Sequence, residues 1–323
     1  MKKNSIDQLL TLNFGRMCAA NFLLFASVYL ILPWLFQWVH TQVERPAAEV
    51  AYLYVAFAAG MLGIGPFHAY LGDTYKRQRV LELSMLLLGV ATVGYTLVDQ
   101  WGQFLVLAVL QGCGFGGAAA AGVTVAIDIT ASTRRGEGNK IFTFFGRLGM
   151  LAGVVASYWL AARYDFRILS YLSAGCLLGA ICFSSRVSVL FRAPIGLPLC
   201  SFDRFLLPRA WLPALNVGLL STVPGLLWGS AEAGGMLHAC LAFGGLCLLS
   251  VPLTHLFVQL SQHCQRGTAN LTCQLMTDLG VLAGLFLVPQ LERAGDVVFS
   301  LSVLSILAFL LLSLPYYRHM KVR

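Results

Sequence analysis

Charged residues are scarce in this chain. Only 11% of its 323 residues are charged, and no more than 14 of them are acidic. A soluble domain carries about 25% charged residues, so the chain lacks the polar surface that such a domain needs. Hydrophobic residues make up 58% of the chain, and its mean hydropathy is +0.75. These values indicate an integral membrane protein with little mass outside the bilayer.

Motifs for several kinds of chemistry are absent too. The chain has no GxxxxGK[ST] loop, which a P-loop ATPase needs. Its nine cysteines include no CxxC pair, which argues against a zinc site or a disulfide framework. No Ser/His/Asp, Glu/His or paired-carboxylate constellation stands at workable helical spacing. We therefore expect no enzyme activity, no cofactor and no bound metal.

Ten apolar segments are long enough to cross the ~30 Å hydrocarbon core as helices. They are residues 17–39, 50–72, 80–98, 103–128, 140–162, 168–190, 211–230, 235–260, 268–289 and 297–316. Seventeen of the 22 basic residues lie at the termini and in alternate loops, four lie in the opposite loops, and Arg147 lies inside a span. This sorting predicts that both termini are cytoplasmic. It also explains the net charge of +8 without a nucleic-acid partner.

One passage of the chain occurs twice. Residues 135–153 (RGEGNKIFTFFGRLGMLAG) and 266–284 (RGTANLTCQLMTDLGVLAG) are identical at eight of nineteen positions. The two halves therefore run in the same orientation, and parallel repeats in so apolar a chain indicate a secondary transporter with a central site.

Two motifs resemble the major facilitator superfamily. The loop at residues 69–81 (AYLGDTYKRQRVL) is similar to its GxLaDrxGrkxxl signature, and residues 108–116 (AVLQGCGFG) are similar to its RxxQGxG motif. The resemblance implies two related helical bundles that rock around a small-molecule site. Ala108 stands where the superfamily has an arginine associated with proton coupling.

Length is the largest departure from that superfamily, which normally has twelve helices. We predict an all-helical protein with a six-helix bundle at 1–190, a cytoplasmic linker at 191–210 and a four-helix bundle at 211–323. The repeat follows four spans in the first half and only two in the second. The second half is therefore expected to lack one pair, taken to be its second and third helices.

The resemblance implies that the loop after the second span forms a cytoplasmic latch, with Asp73 facing a neighbouring arginine and the N-terminus of the helix at 267–289. A plain helix end with solvated basic neighbours is the alternative. Asp128 could pair with Arg134, Arg135 or Arg79 as a charge relay, or simply lie at the interface. The predicted gate residues are Gly72, Asp73, Arg77, Arg79, Asp128 and Arg135.

Arg147 and Asp278 occupy the same position in the two repeats, 131 residues apart. A charge inside the membrane is costly, by about 2.5–3.5 kcal/mol on insertion scales, so both are expected to face a cavity or each other. They are predicted to bind substrate or couple transport, with a purely structural salt bridge as the alternative. The resemblance implies that the first helix of each half lines the central cavity. Asn21, Tyr29 and Asn216 on these helices are therefore further predicted substrate contacts, or else form hydrogen bonds between helices.

The predicted function is secondary transport of a small solute by alternating access, driven by a proton, ion or substrate gradient, and efflux is one direction this leaves open. The expected location is the cell membrane, which in a bacterium is the inner membrane, in contact with lipid. The alternative is a non-transporting scaffold or a degenerate remnant. Loss of a helix pair would then expose the GxxGxxxG face of helix 5 at Gly146, Gly149 and Gly153, and a homodimer could cover it.

Overall fold

A computed structural model describes residues 10–189, 196–230, 235–262, 265–291 and 299–311, and the regular structure in these ranges is helical. The helices are α1 Leu12–Gln42, α2 Ala47–Thr74, α3 Arg77–Gly94, α4 Trp101–Ile129, α5 Arg135–Ala161, α6 Phe166–Ser185, α7 Trp211–Gly229, α8 Gly235–Leu260, α9 Arg266–Leu287 and α10 Phe299–Leu311. The first half of the molecule is α1–α6, and the second half is α7–α10.

Eight of the described helices are long and apolar enough to cross a membrane. The other two are α3, which opens with Arg77, Arg79 and Glu82, and α10, which is described only from Phe299 to Leu311. Both coincide with spans predicted from the sequence. The count of ten spans and the orientation of the termini stay predictions.

Helix α2 is interrupted at Gly65–Phe67, where one turn is a 3-10 helix. Pro66 causes the break because it has no backbone N–H to donate to the preceding turn. The segment between the halves packs against this break. The ring of buried Phe205 fills the space where Gly65 lacks a side chain, and the Ser201 amide donates to the Pro66 carbonyl at 2.9 Å.

The two halves are built around equivalent helix pairs, α1 with α5 and α7 with α9. In the first pair, a Cβ added at Gly149 would overlap the carbonyl oxygen of Phe22. In the second pair, a Cβ at the repeat-equivalent Gly280 would overlap the carbonyl oxygen of Gly218. Small residues let membrane helices approach this closely, which explains why both glycines occur in the repeat.

This packing contradicts the predicted basis for a homodimer through helix 5. Gly146 faces Asn21 and Phe25, Gly149 faces Phe22, and Gly153 faces Ala26, so α1 already covers the GxxGxxxG face. Among the described residues α1 thus occupies that face, and the homodimer itself stays a prediction.

Contacts between the halves show which helices of the first half have no counterpart in the second. Helix α2 packs on α9, and α5 packs on α8. Helices α5 and α9 carry the repeat, so a pseudo-twofold axis that exchanges the halves exchanges α5 with α9. The same axis must exchange α2, which packs on α9, with α8, which packs on α5. Within the described residues, the helices without a counterpart in the second half are therefore α3 and α4. The predicted loss of the second and third helices is therefore wrong, since α8 is the second helix of its half. The sequence alone does not show that α8 lies across from α5.

Candidate functional site

The centre of the molecule holds an ion pair between its halves. The Arg147 Nη1 donates to Asp278 Oδ1 at 2.7 Å, and both side chains are buried. Arg147 lies midway along α5, and Asp278 lies at the equivalent position on α9. The structure thus brings together the two charges that the repeat placed in register. A buried ion pair needs further hydrogen bonds to offset its desolvation.

Three other groups supply contacts to this pair. The Tyr29 hydroxyl donates to the same Asp278 Oδ1 at 2.8 Å, and the Arg147 Nη2 donates to the carbonyl oxygen of Gln274 at 2.9 Å. The Met150 Sδ lies 3.7 Å from Arg147 Nη1. Tyr29 belongs to α1, so the site joins helices of both halves.

Aromatic rings enclose one side of the pair. Tyr29 stacks on Trp228, with centroids 5.8 Å apart and planes 10° apart, and Phe243 packs edge-on against both rings. The Arg147 guanidinium lies 5.4 Å from the centroid of Phe25. Nothing in the sequence pattern singles out Trp228, Phe243 or Phe25. Buried aromatic residues have no signature among so many apolar neighbours.

Two buried polar atoms near the pair have no hydrogen-bond partner among the described residues. They are the Trp228 Nε1, a donor, and the Gln274 Oε1, an acceptor. Buried polar groups in native proteins are normally satisfied. The described residues thus leave one buried donor and one buried acceptor at the centre unsatisfied.

Asn21 and Asn216 hydrogen-bond to backbone carbonyls and not to the ion pair. The Asn21 Nδ2 donates to the Phe142 carbonyl at 2.9 Å and so joins α1 to α5. The Asn216 Nδ2 donates to the Ala308 carbonyl at 2.9 Å and joins α7 to α10. In this conformation both amides make bonds between helices within one half.

The predicted gate residues lie at the end of the bundle where the loops α2–α3, α4–α5 and α8–α9 meet. We call it the basic end because Arg77, Arg79 and Arg135 lie there. An ion pair joins Arg77 to Asp128, and the Arg77 Nε lies 3.4 Å from the Gly72 carbonyl oxygen. The Asp73 carboxylate accepts hydrogen bonds from the amides of Gly196 and Leu197 at 2.9 and 3.1 Å.

These two contacts of Asp73 reach the segment between the halves. A contact of Asp73 with an arginine and with the α9 N-terminus stays a prediction. Arg79 is exposed at the basic end. Arg135 lines a cavity of about 580 Å³ there, together with Gly72, Arg77 and Asp128. The cavity also reaches α9 and the segment before α7.

The halves touch at both ends of the bundle. At the basic end, Gly267 of α9 lies against Ile127 of α4. At the opposite end, the Gln290 Nε2 donates to the Ala48 carbonyl at 3.0 Å, and the rings of Tyr52 and Phe286 are in contact. The central ion pair is therefore enclosed between two contact regions. In the part of the chain that the structure describes, no three His, Cys, Asp or Glu side chains are grouped as a metal site requires.

Comparisons with solved structures support the fold. The human organic anion transporter MFSD10 (TETRAN) aligns with a TM-score of 0.56 and 15% identity, over 93% of this chain and 99% of that chain. The nucleoside transporter NupG aligns with a TM-score of 0.59 and 9% identity, over 94% of this chain and 99% of that chain. At such low identities the likeness extends to the fold alone.

Sequence comparisons lead to the family. The multidrug transporter AQR1 of Candida glabrata is 32% identical over 116 residues, which are 35% of this chain and 20% of that protein. The match thus spans a fifth of the length of that relative. The sequence profile of the Major Facilitator Superfamily matches residues 17–320. The chain is a multi-pass membrane protein that belongs to the major facilitator superfamily, whose members are membrane transporters and not enzymes.

Proposed function

We propose that the protein is a secondary active transporter that moves a small solute by alternating access. The observation that carries this proposal is the buried Arg147–Asp278 pair, which joins the two repeats at their midpoint. Parallel repeats with a site at their interface, near the bilayer midplane, are typical of transporters whose halves rock around that site. A buried charge pair is costly to keep for stability alone.

The basic end is proposed to face the cytoplasm, as the distribution of arginine and lysine favours. The gate would be the contacts there, with Arg77 bound to Asp128 and Asp73 bound to the backbone after the first half. An interaction made in only one conformation shifts the equilibrium by its differential free energy. Opening of this end would break these contacts while the Ala48–Gln290 contact at the other end persists.

The substrate class is proposed from the groups around the pair. Trp228 and Phe243 offer apolar surface, while the Trp228 Nε1 and Gln274 Oε1 offer one donor and one acceptor. A small amphipathic solute, with a ring to stack and polar groups to bond, fits these features. Asp278 is the proposed coupling residue, since it could exchange Arg147 for a proton or cation. Export from a cell, across the inner membrane in a bacterium, is one direction this proposal includes.

Transport in reconstituted vesicles tests the proposal. A set of unrelated drugs, an organic anion and a nucleoside are offered under an imposed proton gradient, because the similar proteins are named as multidrug, organic anion and nucleoside transporters. We expect gradient-dependent movement of one class, and its loss in Arg147→Met/Asp278→Leu, which keeps the volume but removes both charges. The swap Arg147→Asp/Asp278→Arg separates roles. Full activity in the swap would mean that the pair is structural.

A non-transporting scaffold is the second candidate, favoured by the absence of counterparts to α3 and α4 in the described second half. Cross-linking separates the two. In a cysteine-free background, Ile127→Cys/Gly267→Cys reports the basic end and Ala48→Cys/Gln290→Cys reports the other. A transporter should change its two cross-linking rates in opposite directions when its solute is added. A scaffold should change neither.

A further inference from the structure

The cavity at the basic end is separate from the central ion pair. Its volume is about 580 Å³, and it lies between α2, α4, α5, α9 and the segment before α7. Pockets of this size hold small organic molecules. Part of its polar lining lies where α5 and α9 begin, namely Arg135, Asn139, Gln265, Arg266 and Thr268.

The repeat brings two matching sets of donors to this place. Arg135 opens α5 with Asn139 one turn later, and Arg266 opens α9 with Asn270 one turn later. Both arginines line the cavity. Helix N-termini attract anions through their unpaired amides and the helix dipole, and here two N-termini converge on one cavity.

Buried donors at the cavity lack partners among the described residues. Asn139 is 2% exposed and lines the cavity, yet its Nδ2 has no acceptor, and the Arg135 Nε has none either. Native proteins rarely leave such donors unsatisfied. An acceptor-rich group in the cavity would satisfy both.

The charges of the lining are also unbalanced. Four arginines and two aspartates line the cavity. Arg77 and Asp128 form an ion pair, which leaves Arg135, Arg204 and Arg266 against Asp203. Arginine binds phosphate oxygens through two parallel N–H donors. The Gln265 Oε1, unpartnered like the two donors, could accept from a phosphate hydroxyl.

We propose that this cavity binds a phosphate group, held by Arg135, Asn139 and Arg266. The group could belong to a free phosphate or phosphate ester, or to an acidic phospholipid whose headgroup enters from the membrane. The proposal rests on the cavity alone and not on transport, so it stands whether or not the central pair proves functional.

Binding of radiolabelled inorganic phosphate tests the proposal on the full-length protein in phosphatidylcholine nanodiscs, at constant ionic strength set with chloride. We expect saturable binding that Arg266→Gln and Arg135→Gln each weaken by about tenfold or more, since each removes a charged donor. Lys140→Gln is the matched control. It removes one positive charge near the start of α5, but Lys140 does not line the cavity, so binding should persist.

Asn139→Asp provides a second, nearly isosteric variant in case an arginine variant does not fold. The new carboxylate would accept hydrogen bonds from the arginines of the cavity in place of phosphate. It should therefore abolish phosphate binding while the protein stays folded. If nanodiscs with phosphatidylglycerol raise the melting temperature of the wild type but not of Arg266→Gln, and free phosphate does not bind, the source is lipid. If neither phosphate nor phosphatidylglycerol binds, or if Lys140→Gln weakens binding as much as Arg266→Gln, the proposal is overturned.

Discussion

The two halves share their inner helix pair and differ in what surrounds it. In the first half, α4 packs on α2 so closely that a Cβ at Gly60 would overlap the Val109 carbonyl oxygen. In the second half, α8 takes the place of α2, and a Cβ at Gly244 or Gly245 would meet no described residue within 4 Å. The same face of α8 exposes Leu241 and Leu248.

This comparison shows which parts the central site requires. Arg147, Asp278 and Tyr29 lie on α5, α9 and α1, all of which belong to the pairs that both halves keep. Helices α3 and α4, which have no described counterpart, contribute nothing to the ion pair. The site can therefore be built on a shortened half, provided that α7 still supports α9.

Removing one partner of the ion pair should produce the largest effect. Arg147→Met leaves Asp278 buried without a counter-charge, and breaking a buried pair in this way costs about 3–5 kcal/mol. Thermal unfolding of the protein in detergent would measure the loss. The reciprocal Asp278→Leu should be destabilised similarly, because it leaves the Arg147 guanidinium buried without a counter-charge.

The double variant Arg147→Met/Asp278→Leu is the control for this prediction. A well-packed apolar pair is often neutral relative to a buried ion pair, so most of the lost stability should return. If the double variant is as unstable as the single ones, the site depends on the charges for folding and the functional interpretation is weakened.

The repeat glycines should give the next largest effect, and an equal one in both halves. Gly149→Ala on α5 and Gly280→Ala on α9 each force a methyl group against a backbone carbonyl of the partner helix. Overpacking of this kind costs about 1–3 kcal/mol. Gly136→Ala is the matched control, since a Cβ there meets no atom within 4 Å in the part of the chain that the structure describes. Unequal effects, measured by unfolding midpoints, would mean that the two pairs are not equivalent.

The outer helices should respond unequally. Gly60→Ala should destabilise the first half by about 1–3 kcal/mol through the same overpacking, whereas Gly244→Ala should stabilise slightly or change nothing, because alanine favours helix. Unfolding midpoints of the two variants give the comparison. Strong destabilisation by Gly244→Ala would show that another molecule covers this face of α8.

Some of this architecture followed from the sequence. The repeat aligned Arg147 with Asp278 because identical spacing puts equivalent residues at equivalent depths, and the high cost of isolated charges in a membrane favoured pairing. The helices followed from apolar runs, which need internal hydrogen bonds in lipid.

The remaining contacts depend on which faces of the helices pack against each other. Periodicity does not show that the helix 5 glycines face α1, or that Asn21 bonds to a carbonyl within its own half. It also does not show that the Asp73 carboxylate reaches the amide of Gly196. Each of these contacts joins residues far apart in the chain, and packing in three dimensions decides them.

The smallest predicted effect concerns Tyr29, whose hydroxyl belongs to the first half and bonds to a carboxylate of the second. Tyr29→Phe removes this hydrogen bond but keeps the ring that stacks on Trp228. Interhelical hydrogen bonds in membrane proteins are worth about 0.6 kcal/mol on average and at most about 1.7, so the unfolding midpoint should fall only slightly. Tyr158→Phe, whose hydroxyl makes a longer bond of 3.4 Å to the Trp228 carbonyl, is the matched control. Suppose that Tyr29→Phe abolishes transport at this small cost in stability while Tyr158→Phe does not. The Tyr29 hydroxyl then influences the protonation or pairing of Asp278 and does more than hold the two halves together.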